Sequence, residues 1–358
     1  MKWTKSMFTA LAAVVLGLIG GALLMLFTGS NPLEGYAYLF RGGLMNMERF
    51  GNTLGSATTL TLTGLAVAFA FKTGLFNIGV SGQMLAGGLI STAFALTLKL
   101  PKELMLPLII IGAMLAGAIW AAIPGLLKAI FNVHEVVATI MMNWIAYWMV
   151  YYTIPANFKG PMLETESARI PDYASLRVSW LTKLFNGSYI NLGLFVAIIA
   201  VIIIAIILDK TTLGYELKAV GFNRHAAEYA GINVPKNVAL AMGISGALAG
   251  LAGAAFYVGY AYNMQIGVLP AAGFDGIAVA LLGANSPWGV AAAAFFFGIL
   301  HSGKGYMSAM TRIPPDIGDT IIAIIIYFAA TSILFENLYN YIMKKIKAKK
   351  ETQMEEAA

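Results

Sequence analysis

The chain contains no cysteine in 358 residues. That absence excludes disulfides, thiolate metal sites, a catalytic thiol and an N-terminal lipid-modified cysteine, and with the last of these the lipoprotein class. Charge is scarce too: Asp, Glu, Lys and Arg make up 11% of the residues, against roughly 25% in an ordinary soluble domain. A soluble globular fold is thereby excluded. Histidine occurs only at His134, His225 and His301, in no spacing that builds a metal site. His134-Glu135 opens a zinc-protease pattern, but Ala138 stands where the second histidine is required. Gly303-Lys304-Gly305 lacks the upstream glycine and following hydroxyl of a phosphate-cradling loop. No enzyme activity is expected of this chain, and no cofactor or metal within it.

What is present is apolar. Hydrophobic residues reach 59% and the mean hydropathy is +0.76, which gives an all-α integral membrane protein lying in the lipid bilayer. Apolar runs long enough to cross a core of roughly 30 Å recur along the chain, and they predict about ten transmembrane helices. The segments are 7 to 28, 52 to 71, 76 to 98, 104 to 126, 133 to 154, 190 to 208, 237 to 260, 268 to 284, 288 to 302 and 319 to 340. The first follows a basic start (Lys2, Lys5) without a small-residue cleavage pattern, so it reads as a retained helix. Residues 1–345 are expected to form the transmembrane domain, and 346–358 a charged cytoplasmic tail. The net charge of +6 is spread over loops and the run KKIKAKK at 344–350, which suits anionic lipid headgroups and not nucleic acid.

An even number of spans puts both basic termini and the segment 209–236 on the cytoplasmic side of the membrane, where Lys2, Lys5, Lys72 and Lys128 also fall. The long loop 155–189 then faces outward; Pro155, Pro161, Pro171 and Trp180 suggest an ordered cap, against the alternative of a disordered spacer. Two stretches are glycine-rich around a polar residue: GLFNIGVSGQMLAGG at 74–88 and LPAAGFDGIAVALLG at 269–283. Each is expected to break its helix near the midplane, and five helices on either side of the 155–189 loop give an inverted five-plus-five repeat.

The segment TTLGYELKAVGFNRHAAEYAGINVPK at 211–236 is polar and set between two apolar runs. Leu213 to Val220 reads as a short helix stopped by Gly221, and Asn223 as the N-cap of a second stopped by Gly231. Lys210, Lys218, Arg224 and Lys236 alternate with Glu216 and Glu228. This suits a helical knob seated in a partner's groove, or else an ordinary solvated loop.

Polar groups inside spans are costly, at least about 2.5 kcal/mol for a bare charge, so each needs a reason. Asp275 lines the pathway, carries a proton, or N-caps a half-helix 276–284 beyond a break at Gly273. Asn77, Gln83 and Asn143 are solute contacts or interhelical hydrogen-bonding groups. In GISGALAGLAGAAF at 243–256, Gly246 and Gly250 lie four apart and permit close helix packing.

Four stretches carry a family resemblance: GLFNIGVSGQMLAGG (74–88), HEVVATIMMNWIA (134–146), TTLGYELKAVGFNRHAAEYAGI (211–232) and GFDGIAVALLGANSPWG (273–289). With them the chain resembles permease subunits of bacterial ABC importers, in the branch of ribose-type and branched-chain amino-acid permeases, and within it the nucleoside (guanosine-type) uptake members. The resemblance implies a partner ATPase that binds ATP and Mg, a second permease forming a heterodimer, an external substrate-binding lipoprotein and a nucleoside substrate. It implies that Gly214, Tyr215, Arg224, Ala226, Ala227 and Gly231 form or shape the ATPase-coupling surface. Ser81 stands where many relatives carry glutamate, which bears on the choice of ligand. For a nucleoside, Phe76, Trp144 and Phe274 are the candidates to face the base, and Asn77, Gln83, Asn143 and Asp275 the candidates for polar contacts. The alternatives are a permease for a monosaccharide or a branched-chain amino acid, or an ion-coupled secondary transporter using Asp275.

Overall fold

The computed structural model describes residues 2–161, 164–331 and Asn340; the tail at 346–358 and most of the expected helix beyond 331 lie outside the described residues. The helices are α1 (Lys2–Phe27), α2 (Pro32–Leu44), α3 (Met47–Lys72), α4 (Val80–Thr97), α5 (Lys102–Phe131), α6 (Glu135–Thr153), α7 (Ser179–Leu184), α8 (Gly193–Lys210), α9 (Thr212–Phe222), α10 (Arg224–Tyr229), α11 (Val234–Ala254), α12 (Ala271–Leu282), α13 (Pro287–Met310) and α14 (Pro315–Ala330). α11 runs on into a π-helical turn, Ala255–Tyr260. Among the described residues there is no strand, only two isolated bridges at Lys159 with Ser167 and Glu166 with Gln265.

Among the described residues six helices are long and apolar enough to cross a membrane: Phe8–Phe27, Met47–Lys72, Val80–Thr97, Lys102–Phe131, Gly193–Lys210 and Val234–Tyr260. α12, with 12 residues, is about 18 Å long and covers little more than half of a hydrocarbon core. The spans listed from sequence contain no helix between 28 and 52, yet Pro32–Leu44 forms one. Asn31 accepts from the Leu33 amide and Pro32 opens the first turn, a start signal that a search for long apolar runs passes over.

α3 is the centre. Its best apolar window is 83% buried, as against 22% in α1 and α5, so α3 has helices around it while α1 and α5 face outward. Its interior hydroxyls bond back along the helix: Thr58 donates to the Leu54 carbonyl at 2.8 Å and Thr61 to that of Ala57 at 2.7 Å, which leaves them satisfied without water. The tightest crossing is α5 on α11. A Cβ on Gly117, Gly246 or Gly250 would lie 2.1, 2.2 and 2.0 Å from the carbonyl oxygens of Gly246, Gly117 and Ala113 respectively. Backbone rests on backbone there, as the glycine spacing suggested.

The two ends of α3 hold different parts. At its start the Asn52 side chain accepts from the Tyr189 amide at 2.7 Å, and at its close a Cβ on Gly221 would meet the Lys72 carbonyl at 2.3 Å. The 155–189 loop and the α9–α10 segment therefore sit at opposite ends of the bundle, roughly 30 Å apart along the helix from Asn52 to Lys72.

A polar-walled cavity and an exposed helical knob

The chain between α3 and α4 leaves the helix at Thr73–Gly79 and is held by buried amides. Asn77 and Gln83 pair reciprocally at 3.0 Å in both directions, and Asn77 Nδ2 also donates to Ser245 Oγ at 2.8 Å. Ser245 in turn donates to the Ala66 carbonyl at 2.6 Å. Asn143 accepts from the Gly82 amide at 2.7 Å and donates to the Ile78 carbonyl at 3.0 Å. These side chains are at most 2% exposed, and none lines the cavity described below. They satisfy backbone groups at or beside the break, including the Ala66 and Ile78 carbonyls and the Gly82 amide. Asn143→Ala is expected to orphan the Gly82 N–H and the Ile78 carbonyl and to cost about 1–3 kcal/mol for each. A thermal melt of the purified protein reads it, and an unchanged midpoint would remove this role.

A cavity of about 280 Å³ lies among α3, α4, α12, α13 and the π-helical turn. Its apolar wall is Leu60, Met84, Phe256 and the Pro270–Ala271–Ala272 start of α12, and its polar wall is Ser56, Thr59, Tyr260, Asp275, His301 and Lys304. Phe256 and Tyr260 stack at 5.7 Å with 16° between their planes. Asp275 Oδ2 is 3.3 Å from His301 Nε2, an ion-pair distance at which the two groups are not aligned as a hydrogen bond. Lys304 reaches Asp319 Oδ1 on α14 at 2.5 Å. α12 lies close against its neighbours because Gly273 meets Ser81, where a Cβ would be 2.3 Å from Oγ, and Gly276 meets Thr63. Ser81 itself donates to the Pro270 carbonyl at 3.0 Å.

Of the pathway residues expected from sequence, Asp275 is on the cavity wall. It does not cap a half-helix: α12 begins at Ala271 after Pro270 and runs unbroken through Gly273, so Asp275 falls in its second turn. Phe274 turns outward and is 41% exposed. Phe76 stacks on Phe71 at 5.1 Å away from the cavity. Trp144 is 49% exposed and joins Tyr147 and, through it, Trp148 and Tyr151 in a surface array of rings. Sequence reasoning missed His301, Lys304 and Asp319. The expected helix 288–302 carries His301 at its very end and stops short of Lys304, whereas α13 continues to Met310. An ionisable residue inside a span is the signal that would have found His301.

The knob forms as expected, with one difference. Thr211 caps α9 by accepting from the Gly214 amide at 3.2 Å, Asn223 caps α10 by accepting from the Ala226 amide at 3.1 Å, and Gly231 closes it with φ +82°. Gly221 does not stop α9, which runs to Phe222; its lack of a side chain serves the contact with Lys72. Gly214 is buried where α9 folds back on α8, and Ala227 is buried too. Arg224 is half-buried at a crevice shared with the Lys128–Glu135 ion pair of 3.0 Å. Ala226 and Gly231 are exposed. Two of the charges are spent internally, Lys218 on Asp209 at 2.9 Å and Glu216 on Asn237 at 2.9 Å, while Lys210, Glu228 and Lys236 are exposed. Three rings project beside them, with Tyr215 73%, Phe222 92% and Tyr229 95% exposed.

At the other end the 155–189 loop is an ordered cap. It bonds to the chain after α11 through the Ser167 amide to the Met264 carbonyl at 2.9 Å and the Ile170 amide to that of Tyr262 at 2.8 Å. Arg177 donates to the carbonyls of Gly259 and Tyr260 at 2.9 and 2.8 Å, and its guanidinium lies 3.9 Å from the centre of the Tyr262 ring. Burial pushes its pKa below the ordinary arginine value, against the opposing pull of the tyrosines around it.

Residues 49–330 match the family described as Branched-chain amino acid transport system / permease component. The chain is 43% identical to the guanosine ABC transporter permease protein NupP of Bacillus subtilis (strain 168), covering 98% of this chain and 99% of that protein. It is likewise 43% identical to the nucleoside ABC transporter permease protein NupB of Lactococcus lactis subsp. cremoris (strain MG1363), covering 93% of each. A glucose ABC transporter permease protein of Haloferax volcanii is 34% identical over 94% of this chain and 89% of its own length. No solved structure matches the chain. These matches over nearly the whole length place the chain in one family: it belongs to the permease family described as Branched-chain amino acid transport system / permease component, whose members among its relatives include ABC transporter permeases for guanosine, nucleosides and glucose.

Proposed function

We propose that the chain is the membrane-spanning permease of an ATP-driven importer and that nucleosides pass through the cavity beside Asp275. The observation that carries this reading is 43% identity over nearly full length to permeases for guanosine and nucleosides. The cavity agrees with it chemically. The stacked Phe256–Tyr260 pair offers a ring face to a base, and the Asp275 carboxylate accepts hydrogen bonds from ribose hydroxyls. Asn77, Gln83 and Asn143 brace the break before α4 and leave solute contact to the cavity wall. The permease performs no covalent chemistry. ATP and Mg bind a separate ATPase subunit docked on α9 and α10, whose closure moves that knob as a lever and switches the cavity between outward and inward openings.

In the full assembly ten helices in a five-plus-five inverted arrangement cross the bacterial plasma membrane, with α12 as a half-length member. Both termini lie with the knob in the cytoplasm, which the antiparallel packing of α1 on α14, Gly17 against Ile325 and Gly21 against Ile321, supports. The apolar outer faces of α1, α5 and α8 serve the lipid and a second, non-identical permease. A substrate-binding lipoprotein delivers solute at the 155–189 cap.

Uptake of labelled purine and pyrimidine nucleosides, with glucose, ribose and leucine as controls, tests the reading in cells with and without the gene. Loss confined to nucleosides is expected. The 34% identity to a glucose permease favours a monosaccharide as the second reading, and loss of sugar uptake alone selects it. Uptake that stops on collapse of the proton gradient yet continues without the ATPase indicates a secondary transporter.

A further inference from the structure

We propose that the cavity is a charge filter that rejects anionic solutes, phosphorylated nucleosides included, and that Asp275 and Asp319 set this specificity. The inference rests on the cavity being the solute path.

Each basic side chain on the wall already has an acidic neighbour. Lys304 is held by Asp319 at 2.5 Å and His301 faces Asp275 at 3.3 Å. With a neutral imidazole the four groups carry one excess negative charge, and with an imidazolium they carry none. Neither state leaves a cation free for a phosphate. Among the described residues His301 is the only charged partner of Asp275, and no protein hydrogen bond reaches its carboxylate. A carboxylate only accepts, so the solute has to bring donors. A phosphate ester adds about 1.5 to 2 negative charges at neutral pH and further acceptors. It meets a carboxylate in a cavity whose other wall is Leu60, Met84 and Phe256, where low-polarity walls concentrate the field. Specificity against the phosphorylated relatives of a nucleoside then comes from repulsion, without a dedicated contact.

The absence of cysteine makes the field directly measurable. Ser56→Cys and Ala271→Cys each place one thiol on the wall of the full chain, and cell membranes are treated with a cationic trimethylammonium thiosulfonate or an anionic sulfonate analogue. Modification is read on the isolated chain, and each rate is divided by that reagent's rate with a small thiol in solution. At both positions the cationic reagent is expected to be favoured about tenfold or more. Asp275→Asn should shrink that preference, and Asp319→Asn, by releasing Lys304, should shift it toward the anion. Equal normalised rates at both positions overturn the proposal. So does failure of both reagents to react in a chain that elutes as a single folded species, since no aqueous cavity then exists. Guanosine present in excess should slow labelling, and guanosine 5′-monophosphate should not; protection by the monophosphate overturns the filter. If the charge preference stands and guanosine gives no protection, the filter holds and the nucleoside reading falls.

Discussion

Gly250→Val leaves little folded permease, by more than about 3 kcal/mol of lost stability. Added core volume ordinarily costs about 1–3 kcal/mol because neighbouring side chains can shift. Here the obstacle is the Ala113 carbonyl, 2.0 Å from the position of the new Cβ, and a backbone oxygen has no rotamer to escape into. α5 and α11 must part, and the nearby α4 contact goes with them, because Gly87 packs on Gly250 from the other side. A loss of that size takes much of the 5–15 kcal/mol or so by which domains are stable. Gly243→Val is the control on the same helix: nothing lies within 4 Å of its Cβ position, so a change within about 0.5 kcal/mol is expected. Elution profile and melting temperature in detergent separate the two, and a monodisperse Gly250→Val with an unchanged melt removes the backbone-contact argument.

Replacing Phe222 and Tyr229 by Asp has the opposite signature. Both rings project from the knob at 92% and 95% exposure, so the fold should hold to within about 0.5 kcal/mol. Uptake should nevertheless fall at least about 30-fold, the equivalent of losing one buried hot spot worth 2 kcal/mol. The ATPase subunit should also fail to co-purify with the tagged permease. Normal uptake by the doubly substituted chain would sink the docking role of α9 and α10.

Local signals were the most legible. The Asn223 cap and the Gly231 stop could be placed because capping depends on three or four neighbouring residues and little else. The Gly246 and Gly250 spacing foretold close packing for the same reason. What failed was anything set by distant partners. For Asn77 and Asn143 interhelical hydrogen bonding is the better reading over solute contact, but their partners Ser245, Gly82 and Ile78 are remote residues whose approach the sequence does not display. Trp144 and Phe274 are apolar rings in helices, and only the packing decides that they face outward. The cavity's His301 and Lys304 come from α13, and Asp319, which holds Lys304, from α14; the expected helix stops at 302, short of Lys304, and nothing local in the sequence pairs residues 304 and 319.

The fastening of the 155–189 cap has a bearing on how the protein is made. Arg177 is held by carbonyls 82 and 83 positions further along the chain. At about 5–20 residues per second, those carbonyls are synthesised roughly 4–17 s after the arginine. Throughout that interval the guanidinium lacks these acceptors, and the cap stays unfastened while α8 and α11 enter the bilayer on either side of the knob. Closure of the outer cap is therefore a late event in biogenesis, possible only once the π-helical turn has emerged to receive it.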